Sequence, residues 1–332
     1  MSQTNSPLLL SVLDLAPILQ GQTPADTFRH SQALAKAVEA WGYKRYWLAE
    51  HHNMESIASS ATVVLIGYIA GSTETIRVGS GGIMLPNHAP LVVAEQFGTL
   101  ASLYPGRIDM GLGRAPGTDG VTAMALRGHS GSRDFGQDIK ELRTYLSAEN
   151  KGAKVRAIPG EGIDIPVWIL GSSTDSAVLA GTLGLPYAFA SHFAPAQFEA
   201  ALTLYRRYFR PSADLEQPYI MAGVNVIAAA TDAEAEHLAT SFYQLARGII
   251  TGQRSPLPPP VASMDGLWSH YEEAAIRQMM AYTFIGGPEK IRRELNAFRN
   301  ATGVNELMVV SHIYDPAARR ESYRILAETL GS

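Results

Sequence analysis

The chain has 332 residues, with 27 Lys and Arg against 31 Asp and Glu, a net charge of −4 and no cysteine. That balance gives no reason to expect a nucleic-acid partner, and the missing cysteines exclude disulfides, thiol catalysis and cysteine metal sites while fitting a reducing cytoplasm. A composition of 46% hydrophobic and 17% charged residues is that of a well-buried soluble domain of enzyme size, with chain enough for one large α/β domain or two ordinary ones. The N-terminal stretch lacks a basic region and carries Asp14 within its apolar run, so it does not read as a signal peptide. The apolar segment 58–71 is too short to span a bilayer.

In chain order, 8–13 reads as a first strand and 24–41 as a helix with Phe28, Leu34, Ala37 and Val38 on one face. Residues 43–49 form a second strand ending in Glu50-His51-His52. The helix 60–72 is apolar almost all round, which implies burial by the body of the domain on one side and by a partner subunit on the other. A third strand, 76–85, is interrupted by Gly79, Gly81 and Gly82; either a bulge or a flat ligand approaching the backbone would require them, and the pattern leaves both open. Pro90 opens a helix through 103, Pro105-Gly106 ends it, and 107–111 is the fourth strand with a glycine-rich exit through 117. That exit is not a dinucleotide fingerprint, because its third glycine falls one residue late and Pro116 interrupts the helix start.

A charged helix at 133–149 and an irregular stretch at 150–164 follow. The fifth strand, 166–170, leads into a helix at 173–183, the sixth, 187–190, into one at 195–209, and the seventh, 219–228, into one at 233–246. From about 248 to 282 the pattern breaks around a proline-rich run, as in a lid or a mobile insertion. A helix at 288–301, an eighth strand at 306–310 and a closing helix at 316–330 complete the chain. Eight short apolar strands alternating with helices predict a (β/α)8 TIM barrel, one domain over 1–332 with a lid-like insertion before the last strand; a doubly wound sheet is the alternative.

In a barrel, function belongs at the strand exits: Asp14, Glu50-His51-His52, Gly79–Gly82, Gly113-Arg114, Gly171–Ser173, Ser191-His192 and His312. Adjacent histidines on extended backbone point apart, so His51 and His52 are poor candidates for one metal; the remaining readings are acid/base or hydrogen-bonding work and a structural role. Gly171-Ser172-Ser173 joins a strand to a helix and offers hydroxyls and free amides to an anion, though a plain N-cap has the same appearance. Arg114 is the matching counter-charge. Gly286-Gly287-Pro288-Glu289 is a competing phosphate cradle, and a simple helix start accounts for it better.

Four stretches together resemble the bacterial-luciferase-like family of flavin-dependent monooxygenases, nearest to its uncharacterised bacterial members: WLAEHH at 47–52, RVGSGGIMLPNHAP at 77–90, PGRIDMGLGR at 105–114 and VWILGSS at 167–173. The resemblance implies reduced FMN across the barrel mouth, supplied by a separate flavin reductase, with dioxygen as co-substrate and a small organic substrate. It implies a non-proline cis peptide under the flavin at Gly81-Gly82, phosphate contacts from Arg114 and from Gly171, Ser172 and Ser173, and catalytic work for His51 with Glu50 beside it. It further implies a homodimer through the helices 60–72 and 90–103. Two positions depart from luciferase itself: Gly113 replaces a reactive cysteine and Gly171 a phosphate-site glutamate, which argues against light emission. Two other readings keep the fold: hydride transfer with a deazaflavin coenzyme, and flavin binding without turnover.

Overall fold

The computed structural model describes residues 8–127 and 134–331. Ten strands lie in one sheet: β1 (Leu9–Asp14), β2 (Arg45–Leu48), β3 (Arg77–Ser80), β4 (Ile83–Met84), β5 (Ile108–Gly113), β6 (Val167–Gly171), β7 (Tyr187–Phe189), β8 (Ile220–Ala228), β9 (Thr283–Gly286) and β10 (Glu306–Val310). All named pairings are parallel, and β10 pairs with both β1 (Leu9 with Glu306) and β8 (Met221 with Glu306), so the sheet closes into an eight-stranded barrel. β4 and β9 stand outside that ring of eight, β4 pairing with β5 and β9 with the far end of β8. The fold is the (β/α)8 TIM barrel anticipated from the strand and helix alternation.

Strand alternation builds the two layers of core. Outward-facing residues such as Tyr46, Leu48, Ile108, Met110 and Leu112 pack beneath the helices, whereas Leu13, Trp47, Trp168, Met221, Met308 and Val310 fill the barrel interior. The N-terminal end of the interior is closed by ions. Arg45 bridges Asp109 at 2.7 Å and Glu306 at 3.0 Å, Arg77 adds a second contact to Asp109, and Tyr219 donates to Glu306. These buried charges are mutually neutralised, as burial requires, and the opposite end is left for chemistry.

The helices begin and stop where local chemistry dictates. α1 (Pro24–Ala40) starts in a capping box between Thr23 and Asp26. α2 (Thr62–Ala70) buries Leu65, Ile66 and Ile69, and α3 (Pro90–Leu103) opens on its proline. A short α4 (Gly120–Arg127), which periodicity does not mark, follows the β5 exit, and α5 (Phe135–Leu146) is capped by Asp134. The predicted start of that charged helix at Arg133 lies outside the described residues. α6 (Thr174–Leu183) ends at Gly184 with φ +65°, and α7 (Phe198–Tyr208) follows β7.

The insertion is more regular than its sequence suggests. α8 (Asp232–Thr251) runs past the predicted end at 246, and α9 (His270–Met279) forms on a capping box between Ser269 and Glu272. Between them the chain crosses to the β1 exit, where Leu257 donates to the Ile18 carbonyl and accepts from the Gln20 amide, both at 2.8 Å. Val261 is tied back to Thr240 of α8 at 2.8 Å. α10 (Pro288–Thr302) and α11 (Pro316–Leu330) close the fold. No helix among the described residues is long and apolar enough to cross a membrane.

Candidate functional site

The β2 exit, β4 and the loop after β4 converge on Glu50, and Asn87 of that loop also donates to the Pro116 carbonyl of the β5 exit at 2.9 Å. The Glu50 side chain is 1% exposed and accepts from His52 Nε2 at 2.8 Å, His88 Nε2 at 2.9 Å, Asn87 Nδ2 at 3.3 Å and the Met84 amide at 3.0 Å. Burial alone would raise the carboxyl pKa, but His88, His52 and the Met84 amide together hold it below the ordinary value. Glu50 is therefore an ionised strut whose lone pairs are committed. The sequence sets Glu50 beside His51 but does not mark His88 and Asn87 as its partners; their one signal is a polar pair between the apolar strand and Pro90.

His51 is held differently. Its amide donates to the Ser59 carbonyl at 2.9 Å, and its Nδ1 lies 3.2 Å from the Gly117 carbonyl, which can only accept. Nδ1 thus carries the proton and Nε2 the lone pair. Burial pushes the ring pKa down, with Arg254 and His52 adding to that effect and the Gly117 bond and Glu50 opposing it. The imidazole is neutral at pH 7. His52 turns away to Glu50, as alternation along extended backbone predicts. Among the described residues no group of three or more His, Cys, Asp or Glu is arranged to hold a metal ion.

Gly81-Gly82 separates β3 from β4, and its peptide bond is cis. A Cβ on Gly81 would meet Leu13 Cδ1 at 2.6 Å, and one on Gly82 the Gly111 carbonyl at 2.8 Å. Backbone packing requires glycine at 82, whereas Gly81 faces the end of the Leu13 side chain, and the pair interrupts the strand between β3 and β4. Nearby, a Cβ at Gly113 would stand 2.9 Å from Met84 Sδ, so Met84 occupies the room a longer side chain would need.

Arg114 reaches the start of α6, where its guanidinium lies 3.7 Å from Asp175 in an exposed pair. Ser173 is the N-cap residue but makes no side-chain capping bond, and Ser172 is exposed. Gly171 is required by contact, since a Cβ there would fall 1.9 Å from Ser176 Oγ. Arg114 and the 171–173 turn are thus brought together at one helix N-terminus, an arrangement suited to an anion. The competing cradle is filled from within: the Gly287 amide donates to Asp232 Oδ1 at 2.7 Å and Pro288 starts α10, so 286–289 is a helix start.

On the opposite wall stand His192, Asn225 and His312, all buried. Asn225 donates through Nδ2 to the His192 carbonyl at 2.6 Å, and the His312 ring stacks on Phe242 of α8 with centroids 4.4 Å apart. Both histidines are expected strand exits, whereas Asn225 is not among the expected site residues, although one polar residue in the apolar run Ile220–Ala228 marks it.

Comparison with known proteins gives a consistent picture. The family model described as luciferase-like monooxygenase matches residues 10–306. A luciferase-like monooxygenase of Escherichia coli (strain K12) is 51% identical over 324 residues, covering 97% of each chain. The crystal structure of apo-MsnO8 is 38% identical with a TM-score of 0.91 over 98% of both chains. The oxygenating constituent of 3,6-diketocamphane monooxygenase from Pseudomonas putida, solved in complex with FMN, superposes with a TM-score of 0.74 over 98% of both chains; at 18% identity this is a likeness of fold.

Proposed function

The chain belongs to the luciferase-like monooxygenase family, and from that premise we propose that it oxidises a small organic substrate with dioxygen, using reduced FMN supplied by a separate reductase. The observation that carries this reading is the pairing of Arg114 with the α6 N-terminus, which has no side-chain cap from Ser173. The Thr174 amide already donates to Gln197 Oε1 at 3.0 Å, so an anionic phosphate there would accept from the first-turn amides after it and from a guanidinium. The Arg114–Asp175 pair is exposed and long, so it holds the guanidinium only weakly against such a ligand.

When bound, the cofactor supplies the oxygen-activating chemistry; this chain positions it and controls water and protons. Arg114, Ser172 and Ser173 would hold the phosphate, and Gly81-Gly82 would face the ring. His51, neutral and with Nε2 free of the Gly117 bond, is the group that accepts or returns a proton at the mouth. Glu50 acts through position, fixing the β2 exit against β4 and the loop that follows it. The 252–268 segment, tied to both the β1 exit and α8, serves as the lid that limits water.

The outer faces of α2 and α3 leave Val64, Tyr68, Val92 and Leu103 exposed, and a second copy of the chain covers them in this reading. To test the function, protein is mixed anaerobically with reduced FMN and then with oxygenated buffer while absorbance is recorded. Reoxidation of a bound flavin with its own kinetics supports the proposal. Reoxidation indistinguishable from free FMN favours binding without turnover, and preference for a deazaflavin coenzyme replaces FMN.

A further inference from the structure

Among the described residues, His192 Nδ1, Asn225 Oδ1 and His312 Nδ1 at the barrel mouth are buried without a hydrogen-bond partner. Such atoms are expensive to bury, and a native site that leaves them open calls for an explanation. They share one wall. Along β8, Ile220, Ala222, Val224 and Val226 face the outer core while Met221 faces the interior, so Gly223 and Asn225 face the interior too. A Cβ on Gly223 would stand 2.4 Å from His192 Nδ1, so the imidazole lies over Gly223 in space that only glycine leaves. Val310, the register partner of Asn225, is also interior, and His312 follows it at the same parity.

The orientation of Asn225 is fixed by its partners. Nδ2 donates to the His192 carbonyl at 2.6 Å and to Thr283 Oγ1 at 3.2 Å; because a carbonyl can only accept, Oδ1 is the end left open. The wall is uncharged as well as polar. Burial takes the His192 pKa down to about 4, with His51 adding to it, and that of His312 down to about 3, with Arg319 and His192 adding and Asp14 opposing. Arg319 is itself paired with Asp14 at 2.9 Å. Among the described residues these three side chains themselves offer an anion no countercharge, whereas a group that donates to Asn225 Oδ1 and accepts from an imidazole N–H satisfies both.

We propose that His192, Asn225 and His312 form one subsite, on the β7, β8 and β10 side of the mouth, that binds an uncharged amide-type group with an N–H beside a carbonyl. The inference rests on the proposed oxygenase reading, and two molecules at the mouth carry that chemistry: an amide-bearing organic substrate and the pyrimidine edge of the flavin itself. Either way these three residues set specificity for the group.

The test measures two preferences in the unaltered protein and in Asn225→Leu, His192→Phe and His312→Phe. One is FMN against N3-methyl-FMN, which lacks the imide N–H. The other is benzamide against acetophenone and benzoate, which remove the N–H or add charge, titrated with and without FMN. A preference of about tenfold for FMN assigns the subsite to the flavin, and a similar preference for benzamide assigns it to substrate. In both cases Asn225→Leu abolishes it and the histidine variants weaken it. Should Asn225→Leu fail to fold, His192→Phe, whose ring makes no side-chain hydrogen bond to lose, decides the matter. Absence of both preferences, or their survival in folded variants, overturns the subsite. Failure of the unaltered protein to bind FMN instead overturns the oxygenase reading, and the benzamide series in flavin-free protein still judges the subsite.

Discussion

His88 Nε2 donates to the Glu50 carboxylate at 2.9 Å across 38 residues of sequence, locking the β2 exit to the loop that precedes α3. With His52 on the same oxygen, this carboxylate is the junction on which the His51 side of the mouth is assembled.

Replacing Glu50 with Gln removes the charge and sets an NH2 among donors, and should lower stability by about 1–3 kcal/mol. The pH dependence follows from the direction of the shift. The folded pKa is lower than the ordinary 4.5, so the contribution is complete above the unfolded pKa and disappears as pH falls through the folded one. Urea midpoints measured from pH 7 downward should fall in that acid window for the unaltered protein, with the Glu50 component missing from Glu50→Gln.

His51→Ala should leave FMN affinity within about threefold while lowering turnover on the order of 10²–10⁴-fold. Because burial depresses the His51 pKa, the neutral ring persists below 6.5, and the acid limb of kcat/KM should lie under that value. Unchanged turnover in the variant removes His51 from the mechanism.

Gly171→Ala places a Cβ 1.9 Å from Ser176 Oγ and must displace the first turn of α6. FMN affinity should drop by about tenfold, the loss of roughly one charge-assisted hydrogen bond, while riboflavin affinity changes little. Comparing the two ligands by fluorescence quenching separates damage at the phosphate end from general unfolding.

Val64 is 70% exposed and Leu103 63% exposed on the outer faces of α2 and α3. Val64→Lys should convert a dimer into a monomer in sedimentation velocity without lowering the thermal midpoint of the monomer. A sedimentation coefficient that is monomeric before substitution contradicts the assembly.

The barrel was legible because its strands are short, apolar and separated by helices whose starts carry Pro90, Pro288 and Pro316. β9 was not, since Thr283–Gly286 pairs along one edge only, with the far end of β8. α9 was obscured by the prolines before it, although its Ser269/Glu272 capping box was readable. At the site, motif residues could be located but their partners could not. Whether Glu50 is a free acid or a saturated one depends on His88 and Asn87 arriving from another loop, and the inward orientation of Asn225 depends on the parity of β8.

In the proposed function FMN binds with its phosphate on Arg114 and the α6 N-terminus. Anaerobic titration of the unaltered protein and of Arg114→Ala, each with reduced FMN and reduced riboflavin, tests it most directly. Saturable FMN binding at least about tenfold tighter than riboflavin is expected, with that gap nearly closed in Arg114→Ala. Equal affinity for the two flavins in the unaltered protein, or an equal loss of both in the variant, would contradict it.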